Sequence, residues 1–345
     1  MPRKVGPITD GPARLGDIAR KLGVHTSTVS RALNPRTKDL VAPELARKIA
    51  EAAAALNYRP NYVASSLRTR RNMTVGVILP DIQNAPLPIL VHAIEATLAP
   101  ANYLTLVSHA STSYPSEDVI VDQLEARRVD GLILATARRH EPLLRFAAQN
   151  DVPLVTVTRA EEDLAVSSVV NDDLLSMTKA VRHLAELGHQ RVAHLSGPPD
   201  TAIGRVRWAG FHMAMRAHGL DVAGVVDAAF NTRDEGRLGM ERLLDGESFS
   251  AVVTGHDMLA IGCLDVLRRR GLRCPEDISV IGHNDVPLVD MLTTPLTTIR
   301  VDYQRMGAEA ARLMLQRLAD PDALAVNLAL KPELIVRRST SRPRA

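Results

Sequence analysis

The chain has 345 residues, of which 46% are hydrophobic and 3% aromatic, so it is long enough to bury more than one core. Its formal net charge of +3 is unevenly divided. Residues 1–71 hold 14 Lys/Arg against 5 Asp/Glu, a net of +9, and the remainder holds 28 against 34, a net of −6. A basic head on an acidic body is typical of a nucleic-acid-binding module joined to a module with another task.

Several classes of protein are disfavoured by what the sequence lacks. It has no apolar run of about 18 residues, and its charged first residues precede no apolar signal segment, so we expect a cytoplasmic protein without a membrane partner. Cys263 and Cys274 have neither disulfide-framework nor metal-ligand spacing, and we expect no metal and no cofactor. Because nucleophile-elbow, phosphate-loop and dinucleotide motifs are missing, we do not expect an enzyme.

The N-terminal region reads as a flexible arm, residues 1–12, followed by two helices joined by a turn. Gly23 breaks the first helix, and a helix pair joined by a short glycine turn is a helix-turn-helix. The alternative to a DNA-binding motif is an ordinary helical hairpin without a DNA-binding role. The apolar faces that define the two helices are formed by Leu15, Ile18, Ala19 and Leu22, and then by Val29, Ala32 and Leu33. The polar residues that the second helix exposes are Thr26, Ser27, Ser30 and Arg31.

A third helix is predicted from Pro43, a favoured first-turn residue, and it ends before Pro60. It completes a DNA-binding domain over residues 13–60. Residues 61–72 then form a hinge helix and linker that is marginal on its own, because it has little apolar surface to bury.

The body begins with a continuous apolar run at 74–80, typical of a strand buried on both faces. Strands and helices then alternate, which indicates an α/β fold of doubly wound parallel sheets in two lobes with a ligand cleft between them. We assign residues 73–340 to this body, with lobe 1 at 73–170 and 300–330 and lobe 2 at 171–299 and 331–340. The predicted helices are 89–98, 117–127, 141–149, 174–187, 205–218, 235–244 and 258–270. The predicted strands are 105–108, 131–135, 154–157, 191–195, one near 225, 251–254 and 279–282.

A set of short segments in one order along the chain carries a family resemblance. The segments are 15–34, 57–61, 66–68, 75–78, 80–82, 128–134, 187–189, 196–198, 207–211, 277–282, 295–299 and 334–340. Together they resemble the lac repressor (LacI/GalR) family of transcription regulators, over nearly all of the chain from Leu15 to Thr340. The resemblance implies a homodimeric repressor that binds a pseudo-palindromic operator through its head and a small-molecule effector through a body similar to periplasmic sugar-binding proteins.

Carried over by position, the resemblance implies how the head meets DNA. Thr26 and Ser27 face bases, and Arg31 reaches a guanine through a bidentate contact. In the hinge, Leu67 is the apolar wedge that pries open a central base step, with a plain linker contact as the alternative. The residues implied to contact phosphate are Thr28, Ser30 and Asn34, and the other hinge residues implied to lie at the DNA are Asn61, Tyr62 and Ala64.

The sequence departs from the family at positions that bear on both sites. His25 replaces the serine that usually caps the recognition helix, so we expect Thr26 to take over the cap. At the cleft, Thr158 and Asn284 replace carboxylates and His256 replaces an asparagine. The candidate effector-binding residues are Asp81, Asn84, Leu87, Thr158, Arg159, Arg207, Phe230, His256 and Asn284.

The loss of carboxylates beside several arginines suggests an anionic effector, such as a sugar acid or a phosphorylated metabolite. The alternative is that these arginines pair with Asp172, Asp173 or Asp257 and line nothing. The sequence therefore predicts a repressor whose operator affinity is controlled by a sugar, a sugar acid or a related compound. A transport-type binding protein and an enzyme are the other classes considered, and the basic head and the missing motifs disfavour them.

Overall fold

The computed structural model describes residues 13–33, 37–58, 71–80, 86–110, 117–136, 141–160 and 165–344. The chain forms two compact units, Met1–Arg70 and Arg71–Ala345. The residues with predicted roles that lie outside the described part are Asn34, Asn61, Tyr62, Ala64, Leu67, Asp81 and Asn84, together with the arm at 1–12.

The first unit contains the predicted helix-turn-helix and its third helix. Gly23 ends the first helix with a φ of 65°, a left-handed conformation that glycine adopts without strain. The helices are α1 (Leu15–Leu22), α2 (Thr26–Leu33) and α3 (Pro43–Ala55), with a 3-10 turn at Lys38–Leu40. The small core between them consists of Ile18, Ala19, Val29, Ile49, Ala52 and Ala53.

The second unit is built on two six-stranded sheets, which confirms the predicted α/β fold. Sheet 1 has the order β11-β5-β4-β3-β1-β2 with all strands parallel. Its strands are β1 (Thr74–Leu79), β2 (Leu104–His109), β3 (Gly131–Leu134), β4 (Leu154–Val157), β5 (Ser167–Asn171) and β11 (Asn327–Leu330).

Sheet 2 has the order β12-β10-β9-β8-β6-β7 and is parallel except for the β10–β12 pair. Its strands are β6 (Arg191–Ser196), β7 (Asp221–Asp227), β8 (Ala251–Thr254), β9 (Ser279–Asn284), β10 (Thr297–Arg300) and β12 (Glu333–Ile335). The central strands of both sheets are buried along their length, as continuous apolar runs predict.

Helices cover the sheets. They are α4 (Leu87–Leu98), α5 (Glu117–Arg127), α6 (Glu141–Gln149), α7 (Asp173–Leu187), α8 (Ala202–Ala217), α9 (Arg233–Leu244), α10 (Asp257–Arg269) and α11 (Tyr303–Ala319). Gly131 lets α11 lie directly on β3, since a Cβ at that position would come within 2.4 Å of Met314 Sδ. Among the described residues, no helix is both long and apolar enough to cross a membrane.

The chain passes between the two sheets three times. It leaves sheet 1 after β5, returns to it through α11 after β10, and leaves it again between β11 and β12. The carboxyl ends of parallel strands flank these crossings, which is where doubly wound folds bind ligands.

The sequence pattern did not assign β5, β10, α11, β11 or β12, and it began α8 three residues too late. The true start of α8 is fixed by Thr201, whose hydroxyl accepts a hydrogen bond from Gly204 N at 3.0 Å. The missed elements lie where the chain changes from one sheet to the other. A local alternation of strands and helices does not show which sheet such an element joins.

Candidate functional site

The DNA-reading candidate is the outer face of α2. Thr26, Ser27 and Arg31 are exposed, whereas Thr28 and Ser30 are half-buried. Val29 on the opposite face is fully buried in the core of the head and fixes the rotation of the helix. The helix therefore presents hydroxyl groups and one guanidinium group to solvent, the groups that hydrogen-bond phosphates and base edges.

His25, rather than Thr26, caps this helix, so the expectation for Thr26 was wrong. The His25 Nδ1 accepts a hydrogen bond from the backbone N–H of Ser27 at 3.2 Å and lies 2.8 Å from Ser27 Oγ. An imidazole nitrogen thus supplies the acceptor that a serine usually offers at the N-cap. Thr26 is left exposed at the start of the helix.

The ligand-binding candidate is a polar cluster at the carboxyl ends of sheet 2 strands, centred on a buried ion pair. Arg207 of α8 donates from Nε to Asp173 Oδ1 at 2.9 Å and from Nη1 to the carbonyl of Gly255 at 2.6 Å. Both charged side chains are less than a tenth exposed. The guanidinium charge of Arg207 is therefore already neutralised by a carboxylate of the same lobe.

The pKa of Asp173 shows how strongly the surroundings hold its charge. Burial by itself raises this pKa, but the charge of Arg207, the nearby ring of His283 and a hydrogen bond from Asn171 outweigh burial and lower the pKa to about 2. Asp173 stabilises the fold at pH values above its ordinary pKa, and that contribution is lost as the pH falls toward 2.

Two histidines extend the cluster. His256 follows β8, accepts a hydrogen bond at Nδ1 from Met258 N at 3.1 Å and thereby caps α10. Burial and the charge of Arg207 lower the pKa of His256 to about 3, so it is neutral. His283 lies on β9, with Nε2 3.4 Å from Asp173 Oδ1, and burial lowers its pKa as well.

The cluster continues from sheet 2 to the start of α11. The His283 Nδ1 lies 3.0 Å from Asn284 Oδ1, and Tyr303 donates its hydroxyl to the same oxygen at 3.2 Å. Because α11 packs on sheet 1, this hydrogen bond joins the two lobes. A neighbouring pocket of about 290 Å³ is lined from both sides, by Ile89 of α4 and by Asn284 and Tyr303 among others.

A second carboxylate, Asp257, lies behind the cluster at the first residue of α10. It accepts hydrogen bonds from Thr298 Oγ1 at 2.6 Å and from Val286 N at 2.8 Å. Burial outweighs these bonds and raises the pKa of Asp257 to about 6. Its bonds hold the loop after β9 to α10, so we assign it a structural role.

This raised pKa makes a prediction about stability. The pKa of Asp257 is higher in the folded than in the unfolded state, so its contribution to stability is fully present below about pH 4, where the carboxyl group is protonated in both states. The contribution is lost as the pH rises through 6 and the buried group becomes charged. We expect the wild type to lose roughly 2–3 kcal/mol from this group between pH 4 and 7. Asp257→Asn should flatten that part of the profile, measured by urea unfolding at several pH values. Parallel profiles for the two proteins would contradict the assignment.

The structure places the predicted effector residues unevenly. Arg207, His256 and Asn284 are all buried on the sheet 2 side. Arg207 bonds Asp173 and Asn284 bonds Tyr303, whereas the ring of His256 bonds Met258 N in its own helix. The bonds described above do not include Leu87, Thr158, Arg159 or Phe230. Leu87 and Arg159 are buried and Thr158 is half-buried, all on the sheet 1 side. Phe230 follows β7 and is 60% exposed.

Tyr303 and Asn171 belong to the cluster but were not predicted. Asn171 ends β5 and donates from Nδ2 to Asp173 Oδ1 at 2.8 Å. Both residues lie where the chain crosses between the sheets. The only sequence signal was their place just after a β-branched apolar run, a signal too common to mark a site.

Comparisons with known proteins agree with this architecture. Residues 14–61 match the family model described as bacterial regulatory proteins, lacI family, and residues 181–340 match the periplasmic binding protein-like domain. The HTH-type transcriptional repressor CytR of Escherichia coli (strain K12) is 30% identical over 335 residues, which cover 95% of this chain and 96% of that protein.

Two solved structures are similar over most of the chain. The lac repressor dimer bound to operator and the anti-inducer ONPF gives a TM-score of 0.84 at 26% identity, covering 96% of this chain and 100% of that chain. The complex of the transcriptional regulator CelR with cellobiose gives 0.73 at 28% identity, covering 95% and 99%.

A helix-turn-helix head with a two-sheet ligand-binding body defines a ligand-controlled transcription regulator. This chain belongs to the lacI family of bacterial regulatory proteins. It is a DNA-binding repressor with an effector-binding domain, and it is not an enzyme.

Proposed function

We propose that this repressor acts in the cytoplasm as a homodimer on a pseudo-palindromic operator and that an uncharged, hydroxyl-rich small molecule in the cleft controls its DNA affinity. The observation that carries the effector class is the buried Arg207–Asp173 pair, in which the charge of Arg207 is already compensated by a carboxylate of the protein.

The dimer follows from the geometry of the head. One eight-residue recognition helix covers only a half-site, and a two-fold dimer places two such helices one turn of DNA apart. Thr26, Ser27 and Arg31 are proposed to face bases because they are the exposed polar residues of α2. The half-buried Thr28 and Ser30 are proposed to contact phosphates.

The effector class follows from the hydrogen-bonding groups of the cluster. An anionic ligand needs an unpaired cation, but Arg207 is paired with Asp173, and burial keeps His256 and His283 neutral. Arg207 Nη2 makes no hydrogen bond to the described residues and, with the amide of Asn284, it suits hydroxyl groups. The cellobiose bound to the similar regulator CelR is a ligand of this kind.

The effector signal is proposed to travel along α11. Its first residue, Tyr303, bonds Asn284 in the cleft, and near its other end the carbonyl of Leu318 accepts a hydrogen bond from Arg71 Nη2 at 2.7 Å. A 17-residue helix is about 25 Å long and moves as a rigid element. Arg71 is the first residue of the body, so a shift of α11 reaches the linker that leads to the head.

Tyr303→Phe tests this coupling. The variant keeps the ring and loses the hydroxyl bond to Asn284, so we expect the effector to bind with a Kd within about threefold of wild type. We expect its effect on operator affinity to shrink by about threefold or more, because the cleft no longer holds the end of α11. Calorimetry of effector binding and operator titrations with and without effector measure the two quantities. An unchanged effector response would contradict the proposed route.

A thermal-shift panel tests the effector class directly. Neutral mono- and disaccharides and nucleosides form one arm, and the matching sugar acids and sugar phosphates form the other. We expect at least one uncharged compound to raise the melting temperature and its acid counterpart to do so less. Stabilisation by acids or phosphates alone would overturn this part of the proposal.

A further inference from the structure

At the N-terminus of α2, the imidazole ring of His25 contacts both the backbone and the hydroxyl group of Ser27. His25 Nδ1 lies 3.2 Å from the backbone nitrogen of Ser27 and 2.8 Å from its side-chain oxygen. The backbone nitrogen can only donate. Nδ1 must therefore be the unprotonated nitrogen of the imidazole, and the ring proton lies on Nε2.

This tautomer fixes the direction of the second hydrogen bond. Since Nδ1 carries no proton, the Ser27 hydroxyl is the donor, and its only proton points at His25. The outward side of Ser27 Oγ then offers lone pairs alone. A free serine hydroxyl rotates and can serve as donor or acceptor, so it reads any base.

Base edges in the major groove differ in just this respect. Adenine N6 and cytosine N4 donate through amino groups, whereas guanine and thymine present carbonyl acceptors there. An oxygen that only accepts is matched to an amino group and repelled by a carbonyl. Thr26 provides a contrast within the same helix, because no hydrogen bond to the described residues holds its hydroxyl, and it remains free to read either kind of base.

We propose that His25 is a positioning residue that turns Ser27 into an obligate acceptor, so that this repressor selects adenine or cytosine over guanine or thymine at the base that Ser27 faces. The inference rests on the proposed base-facing role of Ser27. It adds that Ser27 accepts rather than donates the hydrogen bond to the base, and that His25 determines this direction.

The test uses the full-length protein and a double-stranded DNA library with randomised half-sites. The base that Ser27 faces is the one at which Ser27→Ala changes the selected preference. Fluorescence anisotropy then compares four operators that differ only at that base. His25→Gly removes the acceptor, and glycine at an N-cap costs the helix only a few tenths of a kcal/mol. His25→Asn restores an acceptor oxygen without adding charge, and circular dichroism checks the fold of each variant.

We expect the wild type to bind the adenine and cytosine operators about two- to tenfold more tightly than the guanine and thymine operators. His25→Gly and Ser27→Ala should abolish this ratio, and His25→Asn should keep most of it. A preference for guanine or thymine, an unchanged ratio in His25→Gly, or no base that depends on Ser27 would overturn the inference while leaving operator binding intact. Failure to select any operator would overturn the proposed function itself, and this inference with it.

Discussion

Arg207→Ala is expected to lower the free energy of unfolding of the body by about 3–5 kcal/mol. The substitution removes the cation that holds the charge of Asp173 in a nearly dry site and leaves the carbonyl of Gly255 without its donor. A buried carboxylate without a partner destabilises the fold by far more than the ion pair stabilises it. The expected loss therefore measures the cost of leaving the charge of Asp173 buried and unpaired. Guanidinium chloride unfolding at pH 7 measures it.

The pH dependence and a control pair sharpen this prediction. Without Arg207, burial raises the pKa of Asp173, so the cost should shrink as the pH falls and the carboxyl group becomes protonated. Arg182→Ala breaks a surface pair with Glu186 on α7 and should change stability by less than about 0.5 kcal/mol. If Arg207→Ala costs no more than Arg182→Ala, Arg207 does not hold a buried charge on Asp173.

Arg31→Ala is expected to weaken operator binding by about five- to 150-fold, the value of one bidentate contact to guanine. Arg31 is the exposed guanidinium group in the last turn of α2, with its backbone carbonyl bonded by the Thr37 hydroxyl at 3.0 Å. Discrimination at one guanine should vanish in the variant, because no other exposed cation lies on α2 within the described residues.

Base-analogue operators separate this contact from general electrostatics. Replacing the guanine with 7-deazaguanine removes N7, so it should weaken the wild type and leave Arg31→Ala unaffected. Arg20→Ala removes an equal charge from α1, where Arg20 pairs with Asp17, and should leave the discrimination intact. A variant Arg31→Ala that still distinguishes the two operators would show that Arg31 contacts only phosphate.

Hydrophobic spacing predicted most of the fold because local patterns determine most of it. The position of α6 follows from apolar periodicity, and the break at Gly23 follows from one left-handed residue. The segments after β9 follow no such pattern, since the chain changes sheets twice within about 40 residues. The strand β12 is an edge of sheet 2, whereas the helix α11 covers sheet 1, so no common apolar pattern links them.

The site divides in the same way. Arg207, His256 and Asn284 were predicted through the family resemblance, and the structure buries all three on the sheet 2 side, at or just beyond the carboxyl ends of its strands or in the helix that follows. The partner of Arg207 could not be chosen from Asp172, Asp173 and Asp257 by sequence, because the pair spans 34 positions. His25 was misjudged because N-cap preferences favour short oxygen-bearing side chains, whereas an imidazole nitrogen caps both α2 and α10.

The central claim is that a small molecule in the cleft controls DNA binding by the head. The direct measurement is an anisotropy titration of the full-length protein on its selected operator, at two salt concentrations, with and without each uncharged compound that stabilises the fold. We expect tight binding that weakens steeply with salt, and at least one compound should shift the operator Kd by about fivefold or more. Operator binding that no stabilising compound changes would contradict the claim.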